Sequence, residues 1–459
     1  MDSSKLADRL RSILNPAGVV RRSGQAPQAS GTDLERILGG RWQEHANGAC
    51  FVVERRTGPR TLHGSAPVGE LAARLDGAGA EAPLIAGGAP ARPPFLFFDL
   101  ETTGLSGGAG TYAFLVGFGS FDEEGGFITR QYVLLRFADE RALLTTVGGE
   151  LERAGAIVSF NGKSFDAPVL EMRYLFHRLE WAGARLPHVD VLHPARRFWG
   201  NVGVRGPRAE HESCSLVALG RQVLGAGRVS DVPGFEIPAR YFQFVRSGDA
   251  RPLVAVLEHN RLDLLTLAGV TARLVHLVRS GPEEARDARE ALALGHLYAR
   301  AGPDDGRARA AFSRAANASI TGSAASTASS AASIAGSAAS IAGSAASIAG
   351  SAASIAAIRI DALRALALTL RRGRQYDEAA GCWRQLLDVC GCPRHIAREA
   401  TEALAIHHEH RARDLAAARA FALQSLESGA PSAWNQAVQH RLARIERKMA
   451  TARRPGFLS

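Results

Sequence analysis

The chain carries two hydrophobic patterns in succession, first of strands and then of helices. Short apolar runs occur in FLFFDLE, YAFLVGFGSF, FITRQYVLL and AIVSFN, and these runs predict β-strands. In DAPVLEMRYLFHRL and PLVAVLEHNRLDLLTLAGVTARLVHLV, apolar residues recur with the period of a helix. Strands followed by helices predict a mixed α/β domain, to which we assign residues 95–280.

Residues 1–94 predict a small α+β leader and a linker. A helical opening precedes a strand-like run in ACFVVERR, and GAGAEAPLIAGGAPARPP has the composition of a linker. The opening segment MDSSKLADRLRSIL carries charges throughout, unlike a signal peptide, and no segment offers about 18 strongly apolar residues. We therefore expect a cytoplasmic protein with no membrane partner.

Residues 281–430 are predicted to be wholly helical and repetitive. Three stretches share one frame of small and aromatic residues, with one extra residue in the turn of the first. The three sets are Gly295, Ala308 and Phe312; Ala367, Ala379 and Trp383; and Ala405, Ala417 and Phe421. Small residues let two antiparallel helices approach while an aromatic residue closes the gap, so the region resembles tetratricopeptide repeats. The resemblance implies an all-α domain that offers a surface to a protein partner.

A low-complexity insert at residues 318–357 interrupts these repeats. Isoleucine or threonine recurs every seven residues from Ile320 to Ile355, and no charge occurs from Ala315 to Ile358. One such residue per heptad is too few for a coiled-coil seam, and the frequent serine disfavours a membrane segment. We interpret the segment as a tandem-duplicated insert, flexible or loosely helical, and residues 431–459 as a basic helix and tail.

Composition adds a preference for an acidic partner. The formal net charge is +10, and arginine supplies nearly all of the positive charge. Guanidinium groups match phosphate geometry, which favours nucleic acid as the partner. The five cysteines are scattered and predict reduced thiols. Cys390, Cys392 and His395 offer three ligands of a zinc site, but no fourth ligand lies at a suitable spacing.

Two acids end the apolar strand FLFFDLE, one residue apart. Asp99 and Glu101 would lie on the same face of a strand, where their like charges repel and favour a cation between them. Asp166 stands where AIVSFN ends and a helix begins. His259 and Asp263 are four residues apart on a predicted helix, so both project from one face.

In chain order, these segments read D-x-E-T-T-G, N-x-x-x-F-D and H-x-x-x-D. The order resembles the three motifs of the DEDD superfamily of 3′-to-5′ exonucleases, which have a ribonuclease-H-like fold. The stretches SFNGKSFDAPVLEMR, HVDVLHPARRFW and LEHNRLDLLTLAG are similar to the bacterial YprB-type ribonuclease-H-like exonuclease family. The resemblance covers about Phe95 to Val278 and implies a mixed sheet flanked by helices.

The resemblance also implies a metal-dependent nuclease. Asp99, Glu101, Asp166 and Asp263 would hold two Mg²⁺ or Mn²⁺ ions, and His259 would be the general base. Three residues separate His259 from Asp263, whereas the histidine branch of the superfamily usually has four and the tyrosine branch three. The implied substrate is a single-stranded 3′ end of DNA or RNA.

Further residues are candidates for substrate binding, and two other functions remain open. The candidates are Thr102, Thr103, Gly104, Asn161, Arg196 and Arg197. The segment ARRFW either grips a phosphate backbone or stacks a base, or it forms a helix with its aromatics facing inward. The alternatives to an exonuclease are an endonuclease with the same metal site and a non-catalytic scaffold that binds nucleic acid and acts mainly through its repeats.

Overall fold

The computed structural model describes residues 31–46, 48–104, 110–200, 214–228, 231–302, 306–317, 338–426 and 432–452. The predicted opening helix and the first half of the insert lie outside these ranges. The strands are, in chain order, β1 Arg41–His45, β2 Gly48–Thr57, β3 Leu62–His63, β4 Ala66–Pro67, β5 Phe95–Thr102, β6 Ala113–Phe121, β7 Phe127–Val133, β8 Ala156–Ser159 and β9 His188–Asp190.

The α-helices confirm the predicted change from a mixed domain to an all-helical region. In the described ranges they are α1 Gly31–Leu38, α2 Val68–Leu75, α3 Glu81–Ile85, α4 Glu140–Leu151, α5 Asp166–Phe176, α6 Leu192–Trp199, α7 Leu216–Leu219, α8 Ile237–Ser247, α9 Arg251–Ser280, α10 Ala288–Ala301, α11 Arg307–Asn317, α12 Ala338–Arg372, α13 Tyr376–Leu387, α14 Arg394–His407, α15 Leu415–Ser425 and α16 Ser432–Ala452.

Seven strands form one mixed sheet in the order β1-β2-β7-β6-β5-β8-β9. Neighbours from β1 to β5 are antiparallel, whereas β8 runs parallel to β5 and β9 runs parallel to β8. The carboxyl ends of β5, β8 and β9 therefore meet at one edge of the sheet. In open sheets with parallel strands, this edge is where functional side chains collect.

The strands of the leader continue this sheet. β2 pairs with β7 from Phe51 to Thr57, and Phe51 and Val53 are fully buried. The segment predicted to be a linker contains α3. The side chains of Ala82 and Ile85 on this helix are buried in the hydrophobic core. The described part of the leader thus shares its sheet with residues 95–280, and the boundary at residue 94 stays a prediction.

Helix α9 joins the sheet to the helical region. It packs against β5, β6 and β7, and its second half is buried nearly all round. At the junction with α10, Glu290 is buried and accepts hydrogen bonds from Trp199 Nε1 and Arg273 Nη2, both at 2.8 Å. Three helices, α6, α9 and α10, are therefore held together by one buried carboxylate.

Successive helices of the C-terminal region pack side by side as pairs. The pairs are α10 with α11, α12 with α13, and α14 with α15. A Cβ atom at Gly295 would meet the Phe312 ring at 2.5 Å, so this pair shows the predicted contact between a small and an aromatic residue. The helical character is confirmed, and the resemblance to tetratricopeptide repeats stays a prediction.

Two further observations concern the chain as a whole. None of the described helices has both the length and the apolar character needed to cross a membrane. All five cysteines are free thiols, in agreement with their scattered positions.

Candidate active site

The face of β5 changes from apolar to acidic at Asp99. Phe95 and Phe97 point to one side of the strand and are buried in a core cluster, and Asp99 and Glu101 continue the same side. Both acidic residues are partly buried. The register of β5 on β6 shifts between Glu101 and Thr102, directly after the acidic pair. The predicted side-by-side placement therefore follows from regular strand geometry.

Asn260 on α9 holds the carboxylate of Asp99. Its Nδ2 donates to Asp99 Oδ2 at 2.8 Å, and Gln131 Nε2 donates to Asn260 Oδ1 at 2.9 Å. Both amides are fully buried. Gly117 lies between Asp99 and Gln131 in the sheet, and a Cβ atom there would come within 2.2 Å of Asn260 Oδ1. A glycine at this point is what lets the amide reach across the sheet.

Asp166 comes to the same edge of the sheet from the loop between β8 and α5. It is the first residue of α5 and is buried. The loop before it is fixed by Asp190 of β9, whose carboxylate accepts from the backbone N–H of Asn161 at 2.8 Å and of Lys163 at 3.2 Å. Helix α5 is fixed in turn by Arg173, which makes two 2.6 Å hydrogen bonds to Glu140.

His259 and Asp263 project from one face of α9, as predicted, and belong to a closed ring of four charged groups. His259 Nε2 lies 3.0 Å from Asp263 Oδ2, and His259 Nδ1 donates to Asp231 Oδ1 at 2.7 Å. Arg228 completes the ring with 2.5 Å and 3.0 Å hydrogen bonds to Asp263 and Asp231. Arg228 and Asp231 precede α9 in the chain and lie in none of the three motifs, so neither was a predicted site residue.

The four predicted carboxylates share one electrostatic environment. Burial raises the pKa of Asp99 well above its ordinary value, and the charges of Asp263, Glu101 and Asp166 raise it further. Burial raises the pKa of Glu101 to about 8; the charge of His259 opposes this rise, and the charges of Asp263 and Asp166 add to it. Burial also raises the pKa of Asp166 to about 7, and the charge of Asp190 contributes. Protons or a cation must offset this repulsion.

The ring controls the protonation of His259. Burial alone would lower its pKa, but the hydrogen bond and charge of Asp263, the charge of Glu101 and the hydrogen bond to Asp231 together raise it to about 9. At pH 7 the ring of His259 is therefore an imidazolium in this arrangement. A role as proton acceptor requires that the negative charges of Asp263 and Glu101 be neutralised first.

The donor set fits a hard divalent cation by its chemistry, because carboxylate oxygens are the ligands that Mg²⁺ and Mn²⁺ prefer. Within the described residues, however, no group of three or more His, Cys, Asp or Glu side chains is already arranged around a metal position. The carboxylate of Asp263 forms ion pairs with Arg228 and His259, and the carboxylate of Asp99 accepts a hydrogen bond from Asn260. Binding a cation would require Asp263 to exchange these partners.

Two predicted substrate-binding residues at the end of β5, Thr102 and Thr103, use their hydroxyl groups in hydrogen bonds to the backbone. Thr102 Oγ1 donates to the carbonyl of Gly104 at 2.9 Å, and Thr103 Oγ1 accepts from Tyr112 N at 2.9 Å. Thr102 is buried. Asn161 is exposed and has a left-handed backbone with φ of 68° at the turn after β8. The backbone of this turn lies beside Asp166, and the binding roles of these residues stay predictions.

The segment ARRFW forms most of α6, with its aromatic residues turned inward. Phe198 is buried, and Trp199 donates to Glu290. Both arginines are exposed. Arg197 borders a cavity with Asp190, whereas the charge of Arg196 acts on Cys214. The two neighbouring arginines thus face different surroundings.

A mixed sheet in this order, with carboxylates on β5, at the start of α5 and on α9, defines a ribonuclease-H-like domain. Residues 96–275 match the family model described as RNase_H superfamily. The match covers the predicted nuclease region and confirms its fold.

Among known proteins, the chain is similar to one from Bacillus subtilis (strain 168) named "Uncharacterized protein YprB". The two are 32% identical over 208 residues, which are 44% of this chain and 47% of the relative. The chain therefore spans about half the length of the relative that it matches. This similarity supports the resemblance drawn from the motifs of the ribonuclease-H-like region.

Proposed function

We propose that this chain is a metal-dependent nuclease that hydrolyses phosphodiester bonds, and more specifically that it is a 3′-to-5′ exonuclease. The observation that carries the proposal is the placement of four acids close enough for their charges to interact: Asp99 and Glu101 on β5, Asp166 at the start of α5 and Asp263 on α9. A surface that only held nucleic acid would present cations to the phosphates, since the backbone is polyanionic. A set of buried acids serves a phosphate substrate only when a cation stands between them. The match to the RNase_H superfamily supports the same class of activity.

The four carboxylates are the proposed ligands for two Mg²⁺ or Mn²⁺ ions. Such ions, when bound, supply an activated water molecule and neutralise the developing charge on the leaving oxygen. Asn260 holds Asp99 in a fixed orientation, and Asp190 holds the loop that precedes Asp166. Both supports are buried, so the carboxylates they orient lose little entropy on binding a cation.

His259 is the proposed general base. Asp231 accepts a hydrogen bond from Nδ1 and fixes the plane of the ring, which leaves Nε2 as the atom that exchanges a proton. Neutralising Asp263 and Glu101 removes the charges that raise the pKa of His259. Nε2 then accepts a proton from the attacking water.

The experiment is hydrolysis of single-stranded DNA and RNA labelled at the 5′ end, with Mg²⁺, Mn²⁺ or EDTA. We expect a ladder that shortens from the 3′ end and disappears in EDTA. Asp99→Asn and Asp263→Asn should each lower the rate at least about a hundredfold, which is about 2.7 kcal/mol of transition-state stabilisation. Asp377→Asn is the matched control, because the Asp377 side chain is 94% exposed.

The two alternative functions, an endonuclease and a non-catalytic scaffold, each give a different result in this assay. Cleavage of a circular single strand would identify an endonuclease. Binding of the oligonucleotide without any metal-dependent cleavage would identify a non-catalytic scaffold and refute the proposal. The rate ratio between the DNA and RNA substrates gives the sugar preference.

A further inference from the structure

A cavity beside the candidate active site has two cationic side chains, those of Lys163 and Arg197, among mostly apolar lining residues. It has a volume of about 240 Å³ and lies between α3, α6 and α10. Its polar walls are formed by Lys163, His193, Arg197 and Asp190. A water molecule occupies about 30 Å³ and small-molecule pockets begin at roughly 300 Å³, so the space suits a hydrated phosphate group better than a whole nucleotide.

The charge in this cavity is not balanced. The carboxylate of Asp190 is occupied by three backbone N–H groups, from Asn161, Lys163 and Leu192. In the part of the chain that the structure describes, no carboxylate forms an ion pair with the side chain of Lys163 or of Arg197. Partial burial and the positive charge of Arg300 lower the pKa of Arg197, which is the direction expected for a guanidinium without an anionic partner.

The cavity lies next to the acids of the candidate site. Lys163 is three residues before Asp166, on the loop that Asp190 fixes. The charge of Asp190 acts on Asp166, so the two carboxylates are close neighbours. The chain has three lysines in total, of which the structure describes Lys163 and Lys448, and of these two Lys163 is the one beside the acids of the candidate site. A strand entering along the carboxyl edge of β5, β8 and β9 would pass from the acids directly to these cations.

We propose that Lys163 and Arg197, with His193 at the rim, form a subsite for a backbone phosphate of the nucleic acid strand. The subsite rests on the proposed function, since it places a phosphate that flanks the scissile one. Lys163 supplies a point charge and Arg197 a planar fork, which are the two common ways of holding a phosphate. Arg196 does not line this cavity and has no part in this subsite.

The first test measures binding without hydrolysis. A fluorescent single-stranded oligonucleotide is titrated in EDTA at several salt concentrations with wild type, Arg197→Gln, Lys163→Gln and Arg197→Lys. We expect about tenfold weaker binding for each glutamine variant and partial retention in Arg197→Lys. The salt slope of each glutamine variant should be smaller by about 0.7, because one cation no longer neutralises a phosphate. Arg153→Gln is the control, because Arg153 is exposed and precedes β8 at the opposite end from the cavity.

The second test uses inorganic phosphate as the probe. At constant ionic strength, phosphate should raise the melting temperature of the wild type and of Arg153→Gln more than that of Arg197→Gln. Unchanged oligonucleotide affinity and salt slope in both glutamine variants would overturn the subsite, even for an active nuclease. Phosphate stabilisation that depends on Arg197 while oligonucleotide binding does not would also overturn it, in favour of a free anion. Weakened binding in both glutamine variants, when the wild type does not cut, would support the subsite and refute the nuclease.

Discussion

The side-chain amide of Asn260 on α9 donates a hydrogen bond to Oδ2 of Asp99 on β5 at 2.8 Å, and its own oxygen accepts from Gln131 on β7. One fully buried amide thus connects the helix that carries His259 and Asp263 to the strand that carries Asp99 and Glu101. Buried amides without partners are costly, so this connection has a fixed orientation. Asn260 is a positioning residue for the proposed metal ligand.

Replacing Asn260 should weaken metal binding. Asn260→Leu keeps the approximate volume but removes the donor to Asp99, and the loss of such a support typically costs about 10- to 100-fold in metal affinity or activity. We expect the Mn²⁺ concentration for half-maximal hydrolysis to rise by about this factor. The measurement is the initial rate as a function of Mn²⁺, with Asn435→Leu on α16 as the control. An unchanged Mn²⁺ requirement would show that Asn260 only fills space.

Adding one methyl group at Gly117 should have a similar effect. The Cβ atom would come within 2.2 Å of Asn260 Oδ1, so the amide must move away from Asp99. We expect Gly117→Ala to destabilise the fold by about 1–3 kcal/mol and to raise the Mn²⁺ requirement. Gly149→Ala is the matched control, because nothing lies within 4 Å of a Cβ there and alanine favours the helix. Urea unfolding and Mn²⁺ titration of both variants check the prediction.

The sequence predicted those parts of the site that follow from local geometry. Asp99 and Glu101 share a face because strand residues alternate, and His259 and Asp263 share one because a helix turns every 3.6 residues. Asn260 lies between His259 and Asp263 in the same motif, but its role depends on how α9 crosses the sheet, and the helical period does not specify that crossing.

The parts that the sequence did not predict depend on distant pairings. Arg228 reaches Asp263 from a loop 35 residues earlier. Gly117 and Gln131 matter only because the register of three strands places them in one row with Asp99. β9 has three residues, too few for an alternating pattern, and its Asp190 nevertheless holds the loop before Asp166.

Without metal, the protein should become less stable as the pH rises from 7 to 9. Burial raises the pKa of Glu101 to about 8, and the acids around His259 raise its pKa to about 9, so the folded state keeps protons that the unfolded chain releases. For each proton that the folded state holds and the unfolded chain does not, the free energy of unfolding falls by up to roughly 1.4 kcal/mol for each unit that the pH rises. Urea unfolding in EDTA measures this slope.

Two comparisons isolate the acidic cluster. Mg²⁺ should stabilise the protein more at pH 9 than at pH 7, because its ligands are then deprotonated. Glu101→Gln should flatten the slope. Below pH 6.5 the loss of stability with rising pH is partly offset. Burial lowers the pKa of His63 and His188 to about 4, so these two rings bind protons in the unfolded chain before they do in the folded protein and contribute stability that increases with pH. Stability that rises between pH 7 and 9 in EDTA would contradict the prediction.

Removing the carboxylate of Glu290 should loosen the junction between the sheet domain and the helical region. Its side chain is 2% exposed and accepts from Trp199, Arg273 and the backbone N–H of Arg286. Glu290→Ala leaves Arg273 as a buried cation without this partner, and breaking such a pair costs about 3–5 kcal/mol. Glu283→Ala is the control, because the Glu283 side chain is 84% exposed and its ion pair contributes little.

The same substitution distinguishes a local from a global role for the junction. Equilibrium urea unfolding followed by circular dichroism gives the total stability, and amide hydrogen exchange measured on the residues of α6 reports the opening of this helix. We expect the midpoint to fall and the α6 amides to exchange at lower urea than the bulk of the helical signal is lost, since α6 and α10 separate first when Glu290 no longer joins them. A variant within about 1 kcal/mol of the wild type, with both signals unchanged, would mean that apolar packing between α6 and α10 alone holds the two regions together.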